Sequence, residues 1–226
     1  MKRLLVFAFI TAMVVTSCGA FGVGGSGLKV GMVTDIGQLE DKSFNEFSWK
    51  GVQDGAKAVG GTANVIVTKD TADYKQNIQQ FVDQKYDIIV TVGFLIGSDT
   101  LKAAQANPNV QFFGVDQFIC VAADANDKAC KGAIPANYQG LLFNEAQSGY
   151  LAGIVAGTIT KSGTIGAVGG RQDVPPVVAF IKGYENGAKS VKANVKVLTN
   201  YVGDFNAPDK GEASAKTMIG QGADVI

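Results

Sequence analysis

The sequence predicts an α/β protein of two doubly wound parallel-sheet lobes, on three observations. From residue 28 onward, short continuously apolar runs alternate with stretches of helical periodicity. Runs apolar at every position imply burial on both faces, as in a parallel sheet flanked by helices. A 46% hydrophobic fraction with 29 glycines suits a packed chain with many tight turns. The alternation also occurs in two series, separated by a long loop at 116–137.

In order, LKVGMVT (28–34) reads as the first strand, followed by a helix over 43–59 with apolar residues at 44, 47, 52, 56 and 59 on one face. Ser43-Phe44-Asn45-Glu46 fits the S-x-x-E capping box, with Ser43 as N-cap. NVIVT (64–68), YDIIVTVG (86–93) and VQFFGV (110–115) read as strands, with helices at 74–85 and 96–106 between them. Right-handed crossovers turn these repeated units into a doubly wound lobe. NYQGLLF (137–143) closes the first series, giving an N-terminal lobe at 28–143. The C-terminal lobe, 144–226, starts with a Gly/Ala-rich helix at 145–159. Strands at 164–170 and 195–202 alternate in it with helices near 175–191 and 208–221. The tail GADVI resembles QKYDIIV at 84–90, where an acid also opens an apolar strand after a helix. Ending on Val225-Ile226, that last strand leaves the second lobe without closing elements, so the lobe is expected to be incomplete.

Twenty basic and twenty acidic residues give a formal net charge of zero, which leaves no basic face for nucleic acid. With no histidine, His-based acid–base catalysis, Ser-His-Asp triads and His-ligated metals are excluded. No metal site or cofactor is expected. Gly22, Gly24 and Gly27 match G-x-G-x-x-G, but they precede the first strand instead of following it, so the dinucleotide reading fails. GTITKSG (157–163) has Thr160 where a phosphate loop needs glycine.

Residues 1–18 read as a targeting segment: Lys2 and Arg3, then an apolar stretch of thirteen residues, too short to span a bilayer at about 20 residues per crossing. Its VTSC ending resembles a bacterial lipobox, which implies lipidation of Cys18, with 19–27 as a flexible tether; an ordinary signal peptide is the alternative. Cys120 and Cys130 lie ten residues apart in an exported chain. A local disulfide there would contribute about 2–3 kcal/mol by loop-closure entropy; two free buried thiols are the other reading.

The densest chemistry lies in TDIGQLEDKSFNEFSW (34–49). Together with FFGVDQ (112–117), SGYLAGIVAG (148–157), GAVGGRQDVPPVVAFIKGYENGA (166–188) and NYVGDFNAPDKGEASAKTMIGQGADVI (200–226), it resembles the basic membrane protein family. These are the purine-nucleoside-receptor-like lipoproteins of bacterial ABC transporters. Gln38 stands where a second glycine is common, and the 118–136 segment departs from the usual family loop. The resemblance implies a type I periplasmic-binding-protein fold with ligand held between the lobes. It also implies a lipid-anchored, non-enzymatic receptor outside the cytoplasm that hands a nucleoside to permease subunits. A sensory receptor, or a nucleoside hydrolase using Asp35, Glu40 or Asp41, are the alternatives.

Six residues are candidates for ligand contact. Asp35 follows the first strand and Asp116 the fourth, so both face the crevice at the carboxyl ends of the strands. Asp35 either accepts from a base or braces a turn; Asp116 either holds sugar hydroxyls or forms an Asx turn. Phe44 either stacks on a planar base or packs in the core. Asn45 suits a base edge, or is simply a solvated helix-start residue. Phe205 either closes on the other face of the base or packs on its own helix. Gly170, beside Gly169, suits close approach of backbone to ligand.

Overall fold

A computed structural model describes residues 27–120 and 132–226. The first series forms one sheet from β1 (Lys29–Ile36), β2 (Thr62–Thr68), β3 (Ile88–Val92), β4 (Gln111–Val115) and β5 (Tyr138–Leu141). The order is β2-β1-β3-β4-β5 and every pair is parallel. The apolar runs of the central strands β1, β3 and β4 are therefore largely buried on both sides, as expected, whereas the edge strands β2 and β5 are partly open, with Val67 and Leu141 exposed. On one face α1 (Phe44–Ala58) packs Val52 and Ala56 against Val30, Met32, Val90, Val92 and Val115. On the other, α2 (Tyr74–Asp83) and α3 (Gly97–Ala106) bring Tyr74, Ile78, Phe81 and Ala104 onto Val33, Ile89 and Phe112. Because β2 lies on one side of β1 and β3 on the other, the chain reverses direction across the sheet at β1. That reversal opens a crevice at the carboxyl ends of β1 and β3.

The start of α1 departs from the expected capping box. Ser43 occupies the N-cap position, but its hydroxyl makes no capping bond. Asp41 does the work instead. Its carboxylate accepts from the backbone N–H of Ser43 (2.8 Å), Asn45 (2.9 Å) and Glu46 (3.2 Å), while Glu46 accepts from the N–H of Lys42 (2.8 Å). The reason is local: Lys42 turns through the left-handed region at φ 56°, which folds Asp41 back over the helix start.

The second series forms a separate parallel pair, β6 (Thr164–Gly169) and β7 (Lys196–Tyr201). Its helices are α4 (Glu145–Ile159), α5 (Pro175–Val191) and α6 (Pro208–Gly220). The two glycine-bearing helices α4 and α5 lie backbone to backbone. A Cβ on Gly149, Gly153, Gly183 or Gly187 would stand 2.0–2.1 Å from a carbonyl oxygen of the facing helix. Ala156, Ile165, Tyr184, Ala188 and Val195 form the core beneath them. The expected terminal strand is a single parallel bridge, Ile165 to Val225. The likeness between GADVI and QKYDIIV has a structural counterpart. The Asp87 carboxylate accepts from the N–H of Lys29 (2.8 Å), and that of Asp224 accepts from Lys161 (2.7 Å) and Ser162 (2.8 Å). No helix among the described residues is long and apolar enough to cross a membrane.

Candidate functional site

A cleft of about 490 Å³ lies between the carboxyl ends of the first sheet and those of the second. Asp35, Phe44, Asn45 and Asp116 line it from the first side; Gly170 and Phe205 line it from the second. The six residues singled out from sequence therefore border one cavity. A larger apolar groove of about 930 Å³ runs between α1 and β3–β4, past Phe47, Val90 and Phe113. It offers few polar groups to orient a ligand, whereas the cleft combines convergent carboxylates with aromatic faces.

Asp35 is 7% exposed at the end of β1. Its Oδ1 accepts from the Tyr74 hydroxyl at 2.5 Å and from the Ile36 N–H at 2.7 Å. Burial raises its carboxyl above the usual range, opposed by the Tyr74 and Ile36 hydrogen bonds and by the positive charge of Arg171. Gly93, directly after β3, has φ +98°, and a Cβ there would stand 2.1 Å from Asp35 Oδ2. No side chain fits at that point.

Asn45 is buried, and its amide braces the strand-to-helix turn. Oδ1 accepts from the Asp35 N–H (3.2 Å), and Nδ2 donates to the Gln38 carbonyl (3.3 Å). One amide hydrogen is left over for anything in the cleft. Phe44 is half-buried; it packs on the Val30–Met32–Val52 cluster and lines the cleft as well. Phe205 lies against Gly170, where a Cβ would meet the ring at 2.4 Å. Its ring is 39% exposed and borders the cleft.

Asp116 adopts φ +60°, and its Oδ1 is buried without a hydrogen-bond partner among the described residues. Burial pushes its carboxyl up to about 7, helped by the neighbouring Glu145 carboxyl and by the charge of Asp35. Glu145 opens α4 and lines the same cleft. Across the cavity, Arg171 is held in a two-point pair with Asp173 (2.9 and 2.6 Å).

Four contributors escaped the sequence reading: Tyr74, the Gly93-Phe94 pair, Glu145 and Phe180. Gly93-Phe94 carried a usable signal, a glycine and an aromatic directly after a strand. Tyr74 carried none, since it meets Asp35 across 39 positions. Cys18 and Cys130 lie outside the described residues; Cys120 is buried and disulfide-bonded. Among the described residues no acidic or cysteine cluster is suited to hold a metal ion.

Comparison with known proteins places this geometry in a family. Residues 28–226 match the family described as ABC transporter substrate-binding protein, PnrA-like. The chain is 35% identical over 213 residues to the ABC transporter nucleoside-binding protein BmpA of Lactococcus lactis subsp. cremoris, covering 92% of this chain and 56% of that protein. It is 31% identical over 207 residues to an uncharacterized lipoprotein of Pyrococcus abyssi, covering 88% of this chain and 48% of the relative. Among solved structures, an ABC transporter solute-binding protein from Aeropyrum pernix K1 superposes with a TM-score of 0.73 at 26% identity, over 87% of this chain and 53% of that one. The chain thus spans roughly half the length of these proteins. The α/β fold is that of periplasmic-type solute-binding proteins, and the family members are binding proteins, not enzymes. The chain belongs to the Bmp family of PnrA-like ABC transporter substrate-binding proteins.

Proposed function

We propose that this protein captures a purine nucleoside outside the cytoplasm, anchored to the membrane by lipid on Cys18, and delivers it to the permease of an ABC transporter. The observation that carries this reading is the cleft's composition: an aromatic ring on each side, Phe44 and Phe205, with carboxylates at the ends of β1 and β4. A planar base suits the space between two rings, since stacking is worth about 1–3 kcal/mol per base. Asp35 and the spare Asn45 hydrogen suit the edge of the base. Asp116, with a buried oxygen lacking a donor, suits the ribose hydroxyls. Further support comes from the Lactococcus relative, which is named a nucleoside-binding protein, and the Pyrococcus relative, which is named a lipoprotein.

Calorimetric titration with guanosine and guanine tests the assignment. Phe44→Ala is expected to weaken guanosine about tenfold or more, the loss of one stacked face. Asp116→Ala should weaken guanosine far more than guanine, because only the nucleoside offers hydroxyls. Equal losses for nucleoside and base in Asp116→Ala would remove the sugar assignment. Failure of the unmodified protein to bind any nucleoside would remove the reading as a whole.

A further inference from the structure

We infer that Tyr74 and Gly93 are positioning residues that fix the Asp35 carboxylate so that one oxygen, Oδ2, meets the ligand. The inference deepens the nucleoside reading and rests on it for the identity of the ligand, though not for the positioning itself.

A carboxylate oxygen has two good acceptor directions. Those of Oδ1 are filled by the Tyr74 hydroxyl at 2.5 Å and the Ile36 N–H at 2.7 Å. No donor among the described residues reaches Oδ2, which instead occupies the space left by the missing side chain of Gly93. Asp35 and Gly93 both border the cleft. The Tyr74 ring is 2% exposed and locked among Ile78, Phe81 and Ile89, so its hydroxyl has one direction to point. Burial and the Asp35 hydrogen bond also hold the phenol far above its ordinary range, so it remains a proton donor at any working pH.

Position and charge are thereby set together. A buried carboxyl tends to take up a proton, and a protonated Asp35 would offer a donor where an acceptor is wanted. The Tyr74 hydrogen bond favours the ionised form. The other charged groups around Asp35 are Asp116 at the end of β4, Arg171 after β6, and Asp41 and Glu145 on the cleft wall. Of these, Arg171 also favours the ionised form, whereas the carboxylates oppose it. The ligand feature selected is a single N–H or O–H donor aimed between β1 and β3. A ligand presenting a bare acceptor at that point would be rejected.

The test is the titration of Asp35 by carboxyl 13C NMR in the unliganded protein and in Tyr74→Phe, which keeps the ring and removes only the hydroxyl. Tyr86→Phe serves as a control, because that buried tyrosine bonds Asn64 and not Asp35. In Tyr74→Phe the Asp35 midpoint is expected to rise by about one pH unit, the loss of one hydrogen bond to the charged form; in Tyr86→Phe it should stay put. Guanosine affinity should fall about fivefold or more in Tyr74→Phe, with a loss that grows as pH is lowered. A midpoint unmoved by Tyr74→Phe overturns the positioning role. A midpoint that moves while guanosine affinity keeps its original pH profile overturns the ligand-facing role of Oδ2. Should the unmodified protein bind no nucleoside while the midpoint still moves, the nucleoside reading falls and the positioning stands.

Discussion

Asp116 combines a left-handed backbone, a buried oxygen without a donor and a carboxyl neighbour in Glu145. The buried oxygen and the carboxyl neighbour both disfavour the ionised side chain, and linkage gives the direction of the effect on stability. The folded state holds the proton up to about 7, against 3.8 for an unperturbed aspartate. Between those values the folded protein binds more protons than the unfolded chain, so Asp116 lowers stability progressively as pH rises through that window. In Asp116→Asn that dependence should vanish. The melting-temperature difference between the variant and the original protein is expected to open between about pH 4 and 7 and stay constant above. A difference that is flat across the window would show that Asp116 titrates normally. A ligand hydroxyl donating to Asp116 would relieve the same penalty, so binding should strengthen through neutral pH. The sequence placed Asp116 at the crevice because it follows a strand. Its coupling to Glu145 was not legible, since the two meet only once β4 and the start of α4 are brought side by side.

Strands and helices were largely readable from sequence, because continuous apolar runs and one-sided helical faces mark packed elements, although Phe47 and Val59 of the first helix's apolar face end up exposed. The first helix shows where such reading stops. S-x-x-E at 43–46 is a sound signature, yet the left-handed turn at Lys42 shifts the capping acceptor two residues back, to Asp41. A backbone turn of that kind leaves little trace in residue types. The two aspects separate experimentally: Asp41→Ala should destabilise by about 0.5–2 kcal/mol, the usual cost of losing a cap, whereas Ser43→Ala should be near neutral. Chemical denaturation of both variants checks this, and the reverse ranking would restore Ser43 as the cap. Because Asp41 also borders the cleft, its loss should loosen the turn that carries Phe44 and Asn45. The close packing of α4 on α5 was foreshadowed only as a Gly/Ala-rich composition. Which glycine faces which carbonyl depends on the crossing of the two helices, a tertiary property.

At the scale of the molecule, the division into two sheets was legible in the repeated alternation and in the likeness of 84–90 to 222–226, now seen as paired carboxylate clamps at Asp87 and Asp224. The cleft was legible as the ends of strands and, on its second side, as Gly170 and Phe205; the contribution of α5 through Val177, Phe180 and Ile181 was not. With a ligand bridging the walls, the two sheets are expected to draw together, since only a contact stronger in the closed form shifts that balance. Small-angle scattering should then give a smaller radius of gyration with saturating guanosine, and an unchanged value would argue for a cleft already closed. The seating of Phe205 on Gly170 bears on how fast this happens. A ring that had to be recruited from a freely turning loop would lose about 0.5–1.5 kcal/mol of rotamer freedom at each capture. This one rests on bare backbone before any ligand comes, its freedom already surrendered when the chain folded. Capture should accordingly be limited by encounter, and differences in affinity among ligands should appear in how long each one stays.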